Sequence, residues 1–391
     1  MNKEIDNNAK QLDLSKIRED IDALDTEITD LLKTRMEKSL EVAKYKKTHN
    51  LPVLNSAREN DILLKVSEQI GEPLDRYARI VYNTIFDVSK SYQSTYLSKG
   101  SGLSSKIKAA LNETPKLFPK KAVVACQGVQ GSYSQAACEK IFEVPGIMYF
   151  NSFEGVFNAV EKGLCRYGIL PIENSSYGSV GTVYDLMQHY NFHIVKSIRL
   201  RINHNLIAKA GTSFADIKEI FSHEQAIGQC GKFLKSLKDV KVTVCENTAI
   251  AAKMVAESDR NDVAAISSSD CIDLYGLHML KKHIQISDNN YTRFICISKN
   301  MEIYPGANRF SLILSLPHVP CSLYHTIAKF AALGINLTKL ESRPIPGSDF
   351  EFMFYFDLDC SVYSDDVLSL LNELSEQQED FVFLGCYTEG F

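Results

Sequence analysis

Over the first hundred positions the apolar residues fall at helical spacing. Ile17, Ile21, Leu24, Ile28 and Leu31 recur at intervals of four, three, four and three, which draws one stripe along an α-helix. Pro52 breaks this first helix, a second starts near Ser56, and a third runs from about Pro73 to Leu97. Three helices in so short a segment bury little by themselves. A long helix with an apolar seam therefore predicts a dimer that shares its core.

From Ala122 the pattern changes. Short β-branched or apolar runs (Ala122–Cys126, Gly168–Pro171, Ile217–Phe221, Val240–Val244, Val263–Ile266 and Phe294–Ser298) alternate with helical stretches. That alternation predicts an α/β domain with a mostly parallel sheet. The stretch between, SKGSGLSSKIKAALNETPKLFPKK, is rich in Ser, Lys and Gly and reads as a linker with a short helix inside. The tail from about Arg309 predicts strand, helix, strand, a turn at PIPGSD, strand, helix and strand, the ferredoxin-like βαββαβ plan. The expected architecture is thus multidomain α and α/β: a helical domain over 10–98, a linker over 99–120, an α/β domain over 121–300 and a ferredoxin-like domain over 305–391.

Composition removes several function classes. The 391 residues are 45% hydrophobic and 23% charged, which is ordinary for globular domains, and the net charge of -5 leaves no basic excess for nucleic acid. No apolar run approaches the roughly 20 residues that span a bilayer, and Met1 to Lys10 is too polar for a signal peptide, so no membrane partner is expected. The ten cysteines are scattered without a CxxC pair, neither a disulfide framework nor a zinc site. Reduced thiols, a cytoplasmic location and no metal are the expectation.

Continued at the same spacing, the stripe of the first helix reaches Arg35, Ser39, Val42 and Lys46, turning cationic while still facing inward. Buried cations need anions, from the protein or from a ligand. Arg58 and Glu59 open the second helix, and Ser89 and Gln93, four apart, share a face of the third. This set suits a small dianion bearing a hydroxyl. Two structural readings compete: Ser56 to Glu59 also spells a capping box, and Arg35 and Lys46 could pair with carboxylates across a dimer.

In the α/β segment four polar stretches adjoin strand ends: CQGVQGSYSQAA, GILPIENSSYGSVGTVYDLM, FSHEQAIGQC and Asn290 to Phe294. The first is a glycine turn leading into a helix whose free N–H groups can hold an anion. It lacks the GK[ST] of a nucleotide loop and the third glycine of a dinucleotide turn. In the third, Ser222 is expected to begin a helix that places Gln225 and Gln229 on one face, although Ser222 with Gln225 also spells a capping box. A Thr at a strand start is as readily explained by β propensity.

Taken together these stretches resemble known families. IREDIDALDTEITDLLKTRMEKSLEVAKYKK, LPVLNSARE and VSKSYQ resemble the all-helical chorismate mutases over residues 14–98. The likeness implies that Arg35, Lys46 and Arg58 bind the two carboxylates and ether oxygen of chorismate, and that Arg18 reaches in from a dimer partner. It implies too that Glu59 holds the ring hydroxyl with Ser89 assisting, and that Gln93 shares the ether oxygen with Lys46. Asn55 stands where the family often has Asp.

PIENSSYGSVGTVYDL, SHEQAIGQC and NYTRF resemble prephenate dehydratases from about Ala122 to Lys299. That implies two α/β lobes like those of type II periplasmic binding proteins, with the site between them and no cofactor. Thr292 would protonate or polarise the leaving hydroxyl of prephenate. Asn174, Ser222 and Gln229 would orient the substrate, and Arg293 or helix N-termini would meet its carboxylates.

NLTKLESRP with FYFDLD resembles the ACT regulatory domains of these dehydratases over about 307–391. The likeness implies L-phenylalanine as an effector held between two such domains, with Asn336, Leu337, Glu341, Ser342 and Arg343 at the site. The family's Gly-Ala-Leu turn reads Cys321-Ser322-Leu323 here. All three together resemble the bifunctional chorismate mutase/prephenate dehydratase family, working as a homodimer or higher homo-oligomer.

Overall fold

The computed structural model describes residues 13–49, 51, 55–97, 102–345, 352–377 and 380–390. The polar N-terminus to Lys10, the break at Pro52, the first linker residues and most of the PIPGSD turn lie outside them. The chain divides into two compact units. One comprises residues 1–104 with 321–329 and 366–377; the other comprises 105–320, 330–365 and 378–391.

The first unit is helical. Helix α1 spans Leu14–His49, α2 Ser56–Ile70 and α3 Asp75–Leu97, and α3 packs on both of the others. Asn55 caps α2, its side chain accepting the Arg58 N–H at 3.1 Å. The cap is therefore not Ser56, and Glu59 is not held as the second half of a capping box. The stripe on α1 is left open: Leu24, Ile28 and Leu31 are 57%, 60% and 70% exposed.

The second unit begins within α4 (Leu103–Glu113), in the stretch expected to be a linker. Ile107 and Ala110 of this helix are buried, and Thr114 just beyond it accepts the Ile303 N–H at 3.0 Å. The spacing of Leu103, Ile107 and Ala110 gives the helix one apolar face, which outweighs the polar composition around it.

Next come β1 (Lys121–Gln127), α5 (Tyr133–Ile141), β2 (Val144–Phe150), α6 (Phe153–Glu161), β3 (Tyr167–Asn174), β4 (Gly178–Ser179), α7 (Gly181–Tyr190) and β5 (His193–Arg201). The chain then crosses into β6 (Asn205–Lys209), β7 (Glu219–His223), α8 (Glu224–Gln229), α9 (Gly231–Leu234), β8 (Lys241–Cys245), α10 (Thr248–Glu257), β9 (Val263–Ser267), α11 (Asp270–Tyr275) and β10 (Leu277–Lys281). It returns through β11 (Tyr291–Ser298). The last segment is β12 (Arg309–Ser315), α12 (Ser322–Ala332), β13 (Asn336–Pro344), β14 (Phe352–Asp359), α13 (Asp365–Gln377), β15 (Val382–Tyr387) and β16 (Glu389–Gly390).

Three sheets result, ordered β16-β5-β11-β3-β1-β2 with β4 on β3, β10-β6-β9-β7-β8, and β13-β14-β12-β15. The first two are mixed, not mostly parallel. β1, β2 and β3 are mutually parallel, but β11 enters antiparallel between β3 and β5 because it brings the chain back from the second lobe. The third sheet is antiparallel throughout, with the strand order of a ferredoxin-like βαββαβ fold. Apolar side chains cover both faces of the first sheet, Phe157, Met187 and Ile295 on one and Phe142, Ile169 and Ile198 on the other. Ile313, Tyr355 and Leu384 of the third sheet complete the former cluster.

Candidate active sites

In the helical unit, Arg35 of α1 donates to Ser89 Oγ of α3 at 2.6 Å and lies over the Phe86 ring. Burial pushes the Arg35 and Lys46 cations below their ordinary pKa values; for Lys46 the nearby Glu59 carboxylate pulls the other way. Ser89 and Gln93 are buried, and among the described residues nothing hydrogen-bonds Gln93 Oε1. A buried amide oxygen without a partner marks a place where a polar group is expected. Five of the expected residues (Arg35, Lys46, Glu59, Ser89 and Gln93) thus gather across three helices. Arg58 and Arg18 are exposed, Arg18 at the far end of α1.

In the second unit the ends of β1, β3, β7 and β8 face one another across a cavity of about 450 Å³. Its lining includes Asn174, Tyr177, His204, His223, Gln225, Gln229 and Thr292. The amide of Asn174 has one orientation, because its Oδ1 accepts the backbone N–H groups of Ser176 and Tyr177 at 2.9 and 3.0 Å. Its Nδ2 therefore donates, to Thr292 Oγ1 and to Asn290 Oδ1, both at 2.9 Å. Asn290 donates in turn to Gln229 Oε1 at 2.9 Å, and His204 Nε2 meets the same oxygen at 2.5 Å. His204 is buried, and burial drives its pKa below the ordinary 6.5; because Gln229 Oε1 is an acceptor, the neutral ring meets it with Nε2 as the donor. The Thr292 oxygen accepts the Asn174 hydrogen bond, and its own proton remains available to donate within the cavity that Thr292 lines.

Helix N-termini also open on this cavity, among them those of α5, α7 and α10. Ser132 caps α5 and Asn247 caps α10, each through its side chain, while Val180 before α7 makes no side-chain cap bond. None of the described lining residues is Lys or Arg. A carboxylate here would be met by peptide N–H groups and helix dipoles.

Two expected residues are not in the cleft. Arg293 is 5% exposed and points away from the cavity, into a buried cluster with Asp357, Glu389 at 2.8 Å and Tyr387 at 2.8 Å. Neighbours on a strand face opposite ways, so Thr292 in the cavity puts Arg293 behind it. Ser222 belongs to β7 and does not start a helix; its buried hydroxyl donates to the Ile266 carbonyl at 2.9 Å. His223, the next residue, lines the cavity instead and occupies the N-cap position of α8, so the sequence picture of a helix from Ser222 is displaced by one residue. Gln225 and Gln229 do share a face, as their spacing predicts.

A profile described as Prephenate dehydratase matches residues 124–302, and one described as Chorismate mutase type II matches residues 17–94. The Bifunctional chorismate mutase/prephenate dehydratase of Escherichia coli (strain K12) is 32% identical over 383 residues, covering 96% of each chain. The chain belongs to this bifunctional family. The Arogenate dehydratase/prephenate dehydratase 2 of Arabidopsis thaliana is 37% identical over 276 residues, covering 68% of this chain and 72% of the relative. Among solved structures, a prephenate dehydratase from Arthrobacter aurescens in complex with L-Phe superposes with a TM-score of 0.63 at 26% identity, over 68% of this chain and 89% of that one.

The family segment that resembles an ACT domain holds its expected residues along the edge strand β13. Glu341 accepts from Ser179 Oγ at 2.7 Å, and Arg343 grips the Asp185 carboxylate with two bonds of 3.1 and 2.8 Å. Lys339, between Leu337 and Glu341 on the same face, donates to Glu173 and to Ser179, both at 2.8 Å. Asn336 and Ser342 face outward, and Leu337 is half-buried.

His204, His223 and Asn290 were not singled out by sequence. Asn290 and His223 carried a signal, the one by its place two residues before Thr292 in NYTRF and the other by its place in SHEQAIGQC.

Proposed function

We propose that this chain performs two consecutive reactions at two separate sites: chorismate to prephenate in the helical unit, and prephenate to phenylpyruvate, carbon dioxide and water in the two-lobed unit. The observation that carries this reading is the 32% identity to the Escherichia coli bifunctional enzyme across 96% of both chains.

The first reaction is an intramolecular rearrangement that needs no nucleophile. The protein has to hold a folded conformer and stabilise charge growing on the ether oxygen. Arg35 and Arg58 take the two carboxylates, Lys46 and Gln93 donate to the ether oxygen, and Glu59 with Ser89 holds the ring hydroxyl. The buried position of Gln93, on the same face of α3 as Ser89, supports this. Arg18 serves the partner's site: at 1.5 Å rise per residue it is roughly 25 Å from Arg35 along α1, too far for both to hold one small substrate. The exposed stripe on α1 supports a homodimer for the same reason.

In the second reaction Thr292 directs its hydroxyl proton at the departing ring hydroxyl, with Asn174 fixing the Thr292 oxygen from behind. Gln229, held by His204 and Asn290, orients the substrate. The N-termini of α5, α7 and α10 receive the carboxylates. Without a lysine or arginine clamp among the described lining residues, the carboxylate that leaves as carbon dioxide keeps no strong ion pair that would oppose its loss. L-Phenylalanine is the effector of the C-terminal βαββαβ segment, supported by the dehydratase solved with L-Phe. The reactions take place in the cytoplasm, where buried thiols such as Cys126, Cys138 and Cys296 stay reduced.

The test is to supply purified protein with chorismate alone and assay phenylpyruvate. Its appearance at enzymatic rates supports the reading; chorismate left intact contradicts it.

A further inference from the structure

The helical unit holds a cation that the resemblance does not account for. Lys90 Nζ, on α3, lies 3.4 Å from Glu59 Oε1 on α2 and 3.2 Å from Asp87 Oδ1 one turn earlier on its own helix. The other oxygen of Asp87 meets His325 Nδ1 of α12, within the same compact unit. These side chains are partly buried, between 18% and 30% exposed, so the ion pairs are less screened than on an open surface.

Glu59 has a second cation within electrostatic reach. Lys46 of α1 feels its carboxylate, which raises the lysine's affinity for its proton against the effect of burial. A direct Glu59–Lys46 pair would occupy two groups that the rearrangement uses at opposite places, the hydroxyl acceptor and the ether-oxygen donor. Lys90 offers Glu59 a different partner. It is anchored on α3 by Asp87, so the ammonium has a fixed position from which to hold Glu59. Helix α3 also carries Ser89 and Gln93, and Lys90 therefore ties the Glu59 carboxylate to the frame on which its partners sit.

We infer that Lys90 is a positioning residue of the mutase site, keeping Glu59 in register with Ser89 and Gln93. The inference rests on the proposed rearrangement of chorismate in this unit.

The experiment compares full-length wild type, Lys90→Met and Lys90→Arg for chorismate consumption, with thermal melts on each. Methionine keeps the apolar stem and removes the charge; arginine restores the charge. Lys90→Met should lower kcat by about tenfold, the effect of losing a partly buried ion pair that orients Glu59. KM should stay near wild type, because the substrate carboxylates are held elsewhere, and Lys90→Arg should recover most of the rate. A merely structural lysine would lower the melting temperature and leave kcat unchanged, which overturns the inference. A raised KM with unchanged kcat would make Lys90 a general attractor of anions and overturns it too. Wild type that leaves chorismate untouched would overturn both this inference and the function beneath it, an outcome distinct from active wild type with an unaffected Lys90→Met.

Discussion

Thr292 and Arg293 show what a single position can and cannot reveal. Both stand in the NYTRF run, yet strand alternation admits only one of them to the cleft. The same rule separates Ser222, whose hydroxyl is satisfied by a neighbouring strand, from His223, which faces the cavity. Sequence supplied the residue types but not the side on which each strand presents them. His204 was illegible for another reason: its role depends on Gln229, twenty-five positions away, and no local pattern marks that pairing. Cys321 is a residue whose departure from the family was visible and whose strain was not. Its φ of 68° places it in the left-handed region where glycine is at ease and a side chain is crowded. Cys321→Gly should raise stability by up to about 1 kcal/mol, seen as a higher denaturation midpoint. A lower midpoint would mean that the cysteine side chain contributes contacts worth more than the strain.

At the scale of elements, the helices were the most legible part. Apolar spacing marked α1, while the Pro52 break and the start near Ser56 placed α2 and α3 to within a few residues, and the tail's βαββαβ order was readable because each strand is short and bounded by turn residues. The antiparallel return of β11 was not readable, since strand direction follows from where the chain has travelled between β5 and β11. That strand also ties the third sheet to the first, through the buried pairing of Arg293 with Asp357 of β14, while Glu389 of β16 meets the same guanidinium from within the first sheet. Removing one partner of a buried ion pair leaves an uncompensated charge, so Asp357→Asn should cost about 3 kcal/mol in chemical denaturation. A loss below half a kcal/mol would show that Glu389 alone neutralises the guanidinium. On α1, the open stripe makes a prediction of its own. Ile28→Glu should weaken self-association in sedimentation and cut chorismate turnover by about two orders of magnitude, because the partner's Arg18 is lost with the dimer. Full turnover by a dissociated variant would exclude a shared site.

Across the whole molecule, three histidines, His204 buried and His193 and His223 partly buried, set an acid limit. Burial is the first cause that lowers the pKa of His193, His204 and His223 below the ordinary 6.5. The fold keeps them neutral, whereas the unfolded chain takes up protons as pH falls below that value. The unfolded state then binds more protons than the native one, and stability must drop. The melting temperature should therefore decline as pH is lowered from about 7 toward 5, and His204→Asn should flatten part of that decline. A melting temperature independent of pH over this range would contradict the buried neutral assignment. The central claim is that one chain carries two independent chemistries, with Lys46 serving the first and Thr292 the second. It is tested most directly by mixing Lys46→Ala protein with Thr292→Ala protein and supplying chorismate. Each variant alone should form almost no phenylpyruvate, the first because chorismate is not rearranged and the second because prephenate accumulates. The mixture should form it steadily, as prephenate released by the Thr292→Ala chains is dehydrated by the Lys46→Ala chains. If each variant folds but has lost both reactions, so that the mixture stays silent, the two sites are not separate and the account is wrong.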